Sequence, residues 1–113
     1  EELIRTDYRA GCPVVAVAVE AGDPDKRDSA TPVIARAAAA FARWTDLIAQ
    51  RLIADGIAAP RAEELAMLMT TSIEGAIVVA RASRDVKPLD LVHRQLDALL
   101  QAETSERKSR DDR

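Results

Sequence analysis

The sequence is short of the residues that catalytic and metal-binding chemistry most often needs. It holds one histidine and one cysteine in 113 residues. A lone Cys12 cannot close an internal disulfide, which points to a reducing compartment and a cytoplasmic setting. No second Cys and no His stands at ligand spacing, so no metal site is expected. No nucleophile motif, catalytic pair or phosphate-binding glycine loop occurs, so catalytic residues, cofactors and an enzymatic role are not assigned. Positive charge is not in excess: the net charge is −3, against the basic balance that phosphate neutralisation demands, so these residues alone are not expected to bind nucleic acid. The longest apolar run, Cys12 to Val19, is too short to span a bilayer, and no signal peptide is visible, so no membrane partner is expected. The chain opens at Glu1-Glu2-Leu3 without an initiator Met and reads as part of a longer protein. Aromatics are down to Tyr8, Phe41 and Trp44.

What remains is an Ala-, Leu-, Val- and Ile-rich chain with 48% hydrophobic and 31% charged residues, the balance of a single globular domain. Residues 1–10 are polar and read as a helix end running into a loop. Residues 11–21 are ambiguous: their valines favour a buried strand, while their length and alanines allow a short buried helix. Residues 22–31 read as a solvated loop. Thr31-Pro32 then reads as an N-cap and first helical position, and Gly56 as the stop. Between them Val33, Ala37, Ala40, Phe41, Trp44, Leu47, Ile48 and Leu52 recur at helical spacing on one side.

A second helix is expected from Pro60 to about Ser83. One face carries Leu65, Leu68, Met69, Ile73, Ala76, Val79 and Ala80. The other carries Met67, Thr70, Thr71, Glu74, Ile77, Val78 and Arg81. A helix apolar nearly all round needs cover on both sides, which a small domain cannot supply, so a partner chain is expected. Gly75, costing about 1 kcal/mol against Ala in a helix interior, suggests close approach of another backbone. Pro88 opens a last helix with Leu89, Val92, His93, Leu96, Leu99 and Leu100 on one seam-forming face. Residues 103–113 read as a charged, disordered tail.

In order, Gly11-Cys12-Pro13-Val14, Phe41-Ala42-Arg43-Trp44, Leu52-Ile53-Ala54-Asp55-Gly56, Ile73-Glu74-Gly75-Ala76-Ile77-Val78-Val79-Ala80-Arg81 and Lys87-Pro88-Leu89 resemble the C-terminal domain of TetR-family transcriptional regulators, in the LmrA/YxaF-like branch. The resemblance spans about residues 9–100. It implies an all-α helical bundle over 1–102, with residues 11–21 helical, and a homodimer built by pairing the last two helices with their twins in a four-helix bundle. It also implies a repressor that releases operator DNA when a small apolar or amphipathic effector binds. The DNA contact would belong to an N-terminal helix-turn-helix domain outside these residues. The competing expectation is a helical dimerising adaptor without a small ligand. A closed core around Trp44 would favour the adaptor and an open cavity there the sensor.

Candidate ligand-pocket residues are Cys12, Val15, Phe41, Trp44, Ile48, Met67, Thr70 and Thr71, placed between the two long helices and capped by the segment around Cys12 and Val15. Their mixture of apolar bulk with a few polar groups is that of small-molecule sites. Candidate dimer-interface residues are Glu74, Gly75, Ile77, Val78, Arg81, Leu89, Val92, His93, Leu96 and Leu100. Glu74, a carboxylate in an apolar helix, needs a partner, and Arg81 two turns on is the expected one across a symmetric interface, with polar anchoring of a ligand or simple solvent exposure as the alternatives. Cys12 and the bulky pocket residues have ordinary core packing as their alternative, and His93 a hydrogen-bonded place in the core or dimer seam.

Overall fold

The computed structural model describes the backbone of residues 2–20 and 27–113, and side chains within these spans except those of residues 20 and 27–31. Five helices follow one another: α1 (Glu2–Arg5), α2 (Pro13–Glu20), α3 (Arg27–Ala54), α4 (Ala59–Ser83) and α5 (Lys87–Asp111). The described residues contain no strand. The strand-or-helix ambiguity therefore resolves to helix over Pro13–Glu20. Pro13 supplies the first position, where its missing N–H costs nothing, and the Ala16 N–H bonds the Cys12 carbonyl at 3.2 Å.

The two helix–helix turns follow from local chemistry. After α3, Gly56 takes φ +97°, its N–H bonds the Ile53 carbonyl at 2.9 Å, and the Ile57 N–H bonds the Leu52 carbonyl at 3.0 Å. This pair of bonds is a Schellman stop, and only glycine enters that backbone region freely. Pro60 falls one residue inside α4. After α4 the left-handed position goes to Arg84, φ 53°, although it carries a side chain. Its guanidinium pairs with Asp7 and lies 5.4 Å from the Tyr8 ring centre, contacts that hold it there.

The boundaries differ from the sequence reading at three places. Helix α3 begins at Arg27, not at Thr31-Pro32, and Pro32 lies inside it. Pro32 is the sixth residue of α3, past the four positions whose N–H groups have no helical partner, so it removes one helical hydrogen bond there. The loop expected over 22–31 is thus helical from residue 27, and its residues 22–26 lie outside the described part. Helix α5 opens at Lys87, one residue before Pro88. It then runs on to Asp111 through the stretch read as a disordered tail. Arg61 reaches across from α4 to Glu103, with Nε at 2.7 Å from Oε1, and Arg107 pairs with Asp111 along the helix at 4.0 Å. Hydrogen bonding to Glu103, then to Glu64, raises the Arg61 pKa, so the anchor stays charged.

The core is small. Leu52, Ala62 and Leu65 form its centre, with Ile48, Ile57, Met69, Leu99 and Leu100 packed round it. Leu65 is the one large side chain to be fully enclosed among the described residues. The chain is also stretched, 59 × 32 × 19 Å with a radius of gyration of 17.1 Å, where a compact domain of this length has about 13 Å. Its accessible surface is 8174 Å², against about 6,100 Å² for a folded monomer of this mass. Several side chains expected inside are therefore outside: Val33, Trp44 and Leu47 on α3, and Leu68, Ile73 and Val79 on α4.

Candidate functional site

The two long helices α3 and α4 pack along their length but part on one flank. Phe41, Thr45 and Ala38, with Ala42, face Met67, Thr70, Thr71 and Glu74 across a cleft of about 510 Å³. The spacing explains the set. Residues 38, 41, 42 and 45 on one helix, and 67, 70, 71 and 74 on the other, recur at three and four, so each group forms one stripe. Alanines at 38 and 42 leave the room that larger side chains would fill.

The polar groups of the cleft are mostly spent on each other. Thr45 and Thr70 hydroxyls bond across the two helices at 3.1 Å. The Thr71 hydroxyl donates to the Met67 carbonyl at 2.9 Å. Glu74 is the exception: its Oε2 is buried with no hydrogen-bond partner among the described residues. Trp44 stands beside the cleft, edge-on to Phe41 with ring centres 5.6 Å apart, and keeps 38% of its surface exposed.

Of the eight expected pocket residues, the structure brings Phe41, Met67, Thr70 and Thr71 together. Ile48 instead packs on the Leu52–Leu65 core. Val15 is half-buried on α2 and does not line this cleft. Cys12 lines a separate concavity of about 410 Å³, with Leu3, Gly11, Ile77 and Leu89 among its walls, so it does not cap the cleft as expected. The expectation failed there because a loop's destination depends on long-range topology. Ala38, Ala42 and Thr45 were missed as pocket lining, and Glu74, weighed as a ligand anchor but assigned to the interface, lines it as well. Thr45 lies one turn after Phe41, a spacing that could have placed it there. A further concavity of about 660 Å³ beside Gly56 has charged walls, and its Arg61, Glu103, Arg107 and Asp111 already form pairs with each other.

The expected interface residues separate into three groups. Leu96 is buried inside the chain, and Leu100 packs on the core. Both belong to the fold of one chain, because α5 turns its leucine stripe towards α4. Leu89 and Ile77 share the concavity by Cys12, and Val92 is half-buried on the same stripe. His93 leaves the apolar face: its side chain is 76% exposed and its Nε2 lies 3.3 Å from Asp97, one turn on. Arg81 is occupied within the chain, donating to the Tyr8 carbonyl at 3.3 Å and the Arg9 carbonyl at 3.2 Å. It ties the segment after α1 to α4, and a Cβ added at Gly11 would stand 2.8 Å from its Cζ. Glu74 therefore loses its expected partner and points into the cleft instead. Val78 and Gly75 remain on the outer side of α4, where nothing of this chain lies within 4 Å of a Cβ built on Gly75.

That outer side is the second feature of α4. Met67, Leu68, Thr71, Gly75, Val78, Val79 and Ala82 are all exposed, and they follow one another at three and four. By length and composition α4 could cross a membrane, which no uninterrupted apolar run in the sequence suggests. Small polar residues and Glu74 break the run but not the average. Among the described residues no cluster of His, Cys, Asp or Glu could hold a metal ion.

The described residues thus form an all-helical domain with a cleft between α3 and α4 and one bare apolar helix face. Comparison with known proteins names its class. Residues 1–95 match the family described as transcriptional regulator LmrA/YxaF-like, C-terminal domain, and the chain belongs to that TetR-type family. Two uncharacterized HTH-type transcriptional regulators of Mycobacterium tuberculosis, one from strain CDC 1551 / Oshkosh and one from strain ATCC 25618 / H37Rv, are each 63% identical to it over 107 residues. That match takes in 95% of this chain and 55% of each relative, so the chain spans about half the length of the curated relatives it matches. No solved structure matches it at a significant level. The family and these relatives are described as regulators of transcription.

Proposed function

We propose that this chain is the effector-sensing and homodimerising domain of a TetR-type repressor. One observation carries the reading: α4 supplies both a wall of the cleft and the uncovered apolar face. Met67 and Thr71 line the cleft and also stand at the edge of that face. A ligand between α3 and α4 therefore presses on the helix that packs against the twin subunit.

The physical need for a twin is the surplus surface. Leaving Leu68, Val78 and Val79 about half exposed forgoes burial worth about 25 cal/mol per Å², and a second copy of the same face would recover it. Gly75 at the centre lets two helix backbones approach closely, which offsets its helix cost. Symmetric pairing of one patch with itself is the commonest route to a dimer. In the longer protein, the relatives' HTH-type domain would read operator half-sites about one DNA turn apart. An effector that fits one subunit arrangement better shifts the population towards it, with coupling of about 1–3 kcal/mol. The open cleft beside Trp44 favours a sensor over a closed adaptor.

Cys12, the chain's single cysteine, allows one spin label per subunit. Pulsed electron spin resonance should then give an inter-subunit distance that shifts when a small apolar probe such as n-nonanol fills the cleft. An identical distance distribution with and without bound probe would remove the coupling from the account.

A further inference from the structure

We propose that the effector of this domain carries a cationic, hydrogen-bond-donating head on an apolar body, and that the Glu74 carboxylate receives the head. The inference rests on the cleft being the effector site and deepens that reading.

A carboxylate oxygen taken out of water without a donor is costly, and native structures rarely leave one so. In this cleft the deficit is specific to one atom. The Thr45, Thr70 and Thr71 hydroxyls are satisfied, at 3.1 Å to each other for the first two and 2.9 Å to the Met67 carbonyl for the third. Only Glu74 Oε2 is buried and unmet among the described residues. The cation best placed in sequence to neutralise it, Arg81, spends its guanidinium on the Tyr8 and Arg9 carbonyls. The remaining walls are Ala38, Phe41, Ala42 and Met67. Phe41 offers an aromatic face that also attracts a cation, and Met67 a flexible thioether that adapts to varied apolar shapes. The site therefore lacks one thing, a positively charged donor, and surrounds that lack with apolar surface. An anionic head would meet the carboxylate with like charge, and a neutral alcohol would satisfy the acceptor without the charge assistance.

Three probes of one chain length separate the possibilities: n-nonylammonium, n-nonanol and n-nonanoate, titrated into the 113-residue chain by calorimetry and by Trp44 fluorescence. The expected order is ammonium tightest, alcohol weaker by about tenfold or more, and carboxylate weakest. Glu74→Gln should bring the ammonium down to the alcohol and leave the alcohol unchanged. Ala42→Leu, which narrows the cleft from the facing helix, should weaken ammonium and alcohol together, so localisation does not depend on one variant folding. Equal binding of ammonium and alcohol to the wild type, or ammonium binding indifferent to Glu74→Gln, overturns the cationic assignment while leaving an apolar effector site; binding indifferent to Ala42→Leu places the probe outside the cleft and overturns both. No binding by any of the three probes overturns both the assignment and the cleft itself.

Discussion

Replacing Leu65 by Ala should remove a large share of the stability of this chain, while the same change at Leu47 should remove almost none. Leu65 is 1% exposed and touches the side chains that join α3, α4 and α5, whereas Leu47 is 55% exposed. Truncating a buried leucine costs about 2–5 kcal/mol, the sum of lost transfer energy and an incompletely collapsed cavity. Here the cavity can shrink in part, because Met69, Leu99 and Leu100 around it are only half-buried and Met69 is flexible. That places the expected loss in the lower half, about 2–3 kcal/mol, out of a total of about 5–15 for a typical domain. With a urea dependence of about 1–3 kcal/mol per molar, the unfolding midpoint should fall by about 1–2 M, read by far-UV circular dichroism at fixed protein concentration. Leu47→Ala should stay within about 0.5 kcal/mol, as surface substitutions do. A loss at Leu47 equal to that at Leu65 would refute the assignment of the outside of α3 and the inside of α4.

Other outcomes follow from the turns and the C-terminal helix. Gly56→Ala should lower stability by about 1 kcal/mol or more, since φ +97° is unfavourable for any residue with a Cβ and Arg107 lies where that Cβ would go; thermal unfolding at fixed concentration checks it. Arg61→Ala should release the far end of α5, seen as faster amide hydrogen exchange over 103–111 with little change in the global unfolding midpoint, because the Arg61 side of the pair is 45% exposed and solvent screens it. Unchanged exchange there would show that the end of α5 holds itself.

The helices were legible where period and punctuation agree. Proline near residues 60 and 88 and glycine at 56 mark the turns, and α4 and α5 follow within a residue at their starts. The start of α3 was not legible, because a proline tolerated in an early helical turn looks the same in sequence as one that opens a helix. The extent of α5 depends on Arg61 reaching Glu103 from another helix, a contact with no local signature. In the cleft, Phe41, Met67, Thr70 and Thr71 were recoverable from spacing on facing helices. Glu74 was recognised as anomalous, but its partner was not, since Arg81 turns to carbonyls near Tyr8. Periodicity gives the apolar side of a helix. It does not say whether that side packs within this chain, as Leu65 does, or lies exposed on it, as Val79 does.

The most direct test is therefore sedimentation equilibrium on the chain and on Val79→Lys, a charge placed in the middle of the bare α4 face. The wild type should sediment at twice its 12.3 kDa chain mass at micromolar concentration, and the variant should remain folded at the single-chain mass. A wild type that stays at the single-chain mass at high concentration, or a Val79→Lys variant that dimerises as well as the wild type, would contradict the claim that a twin subunit covers α4.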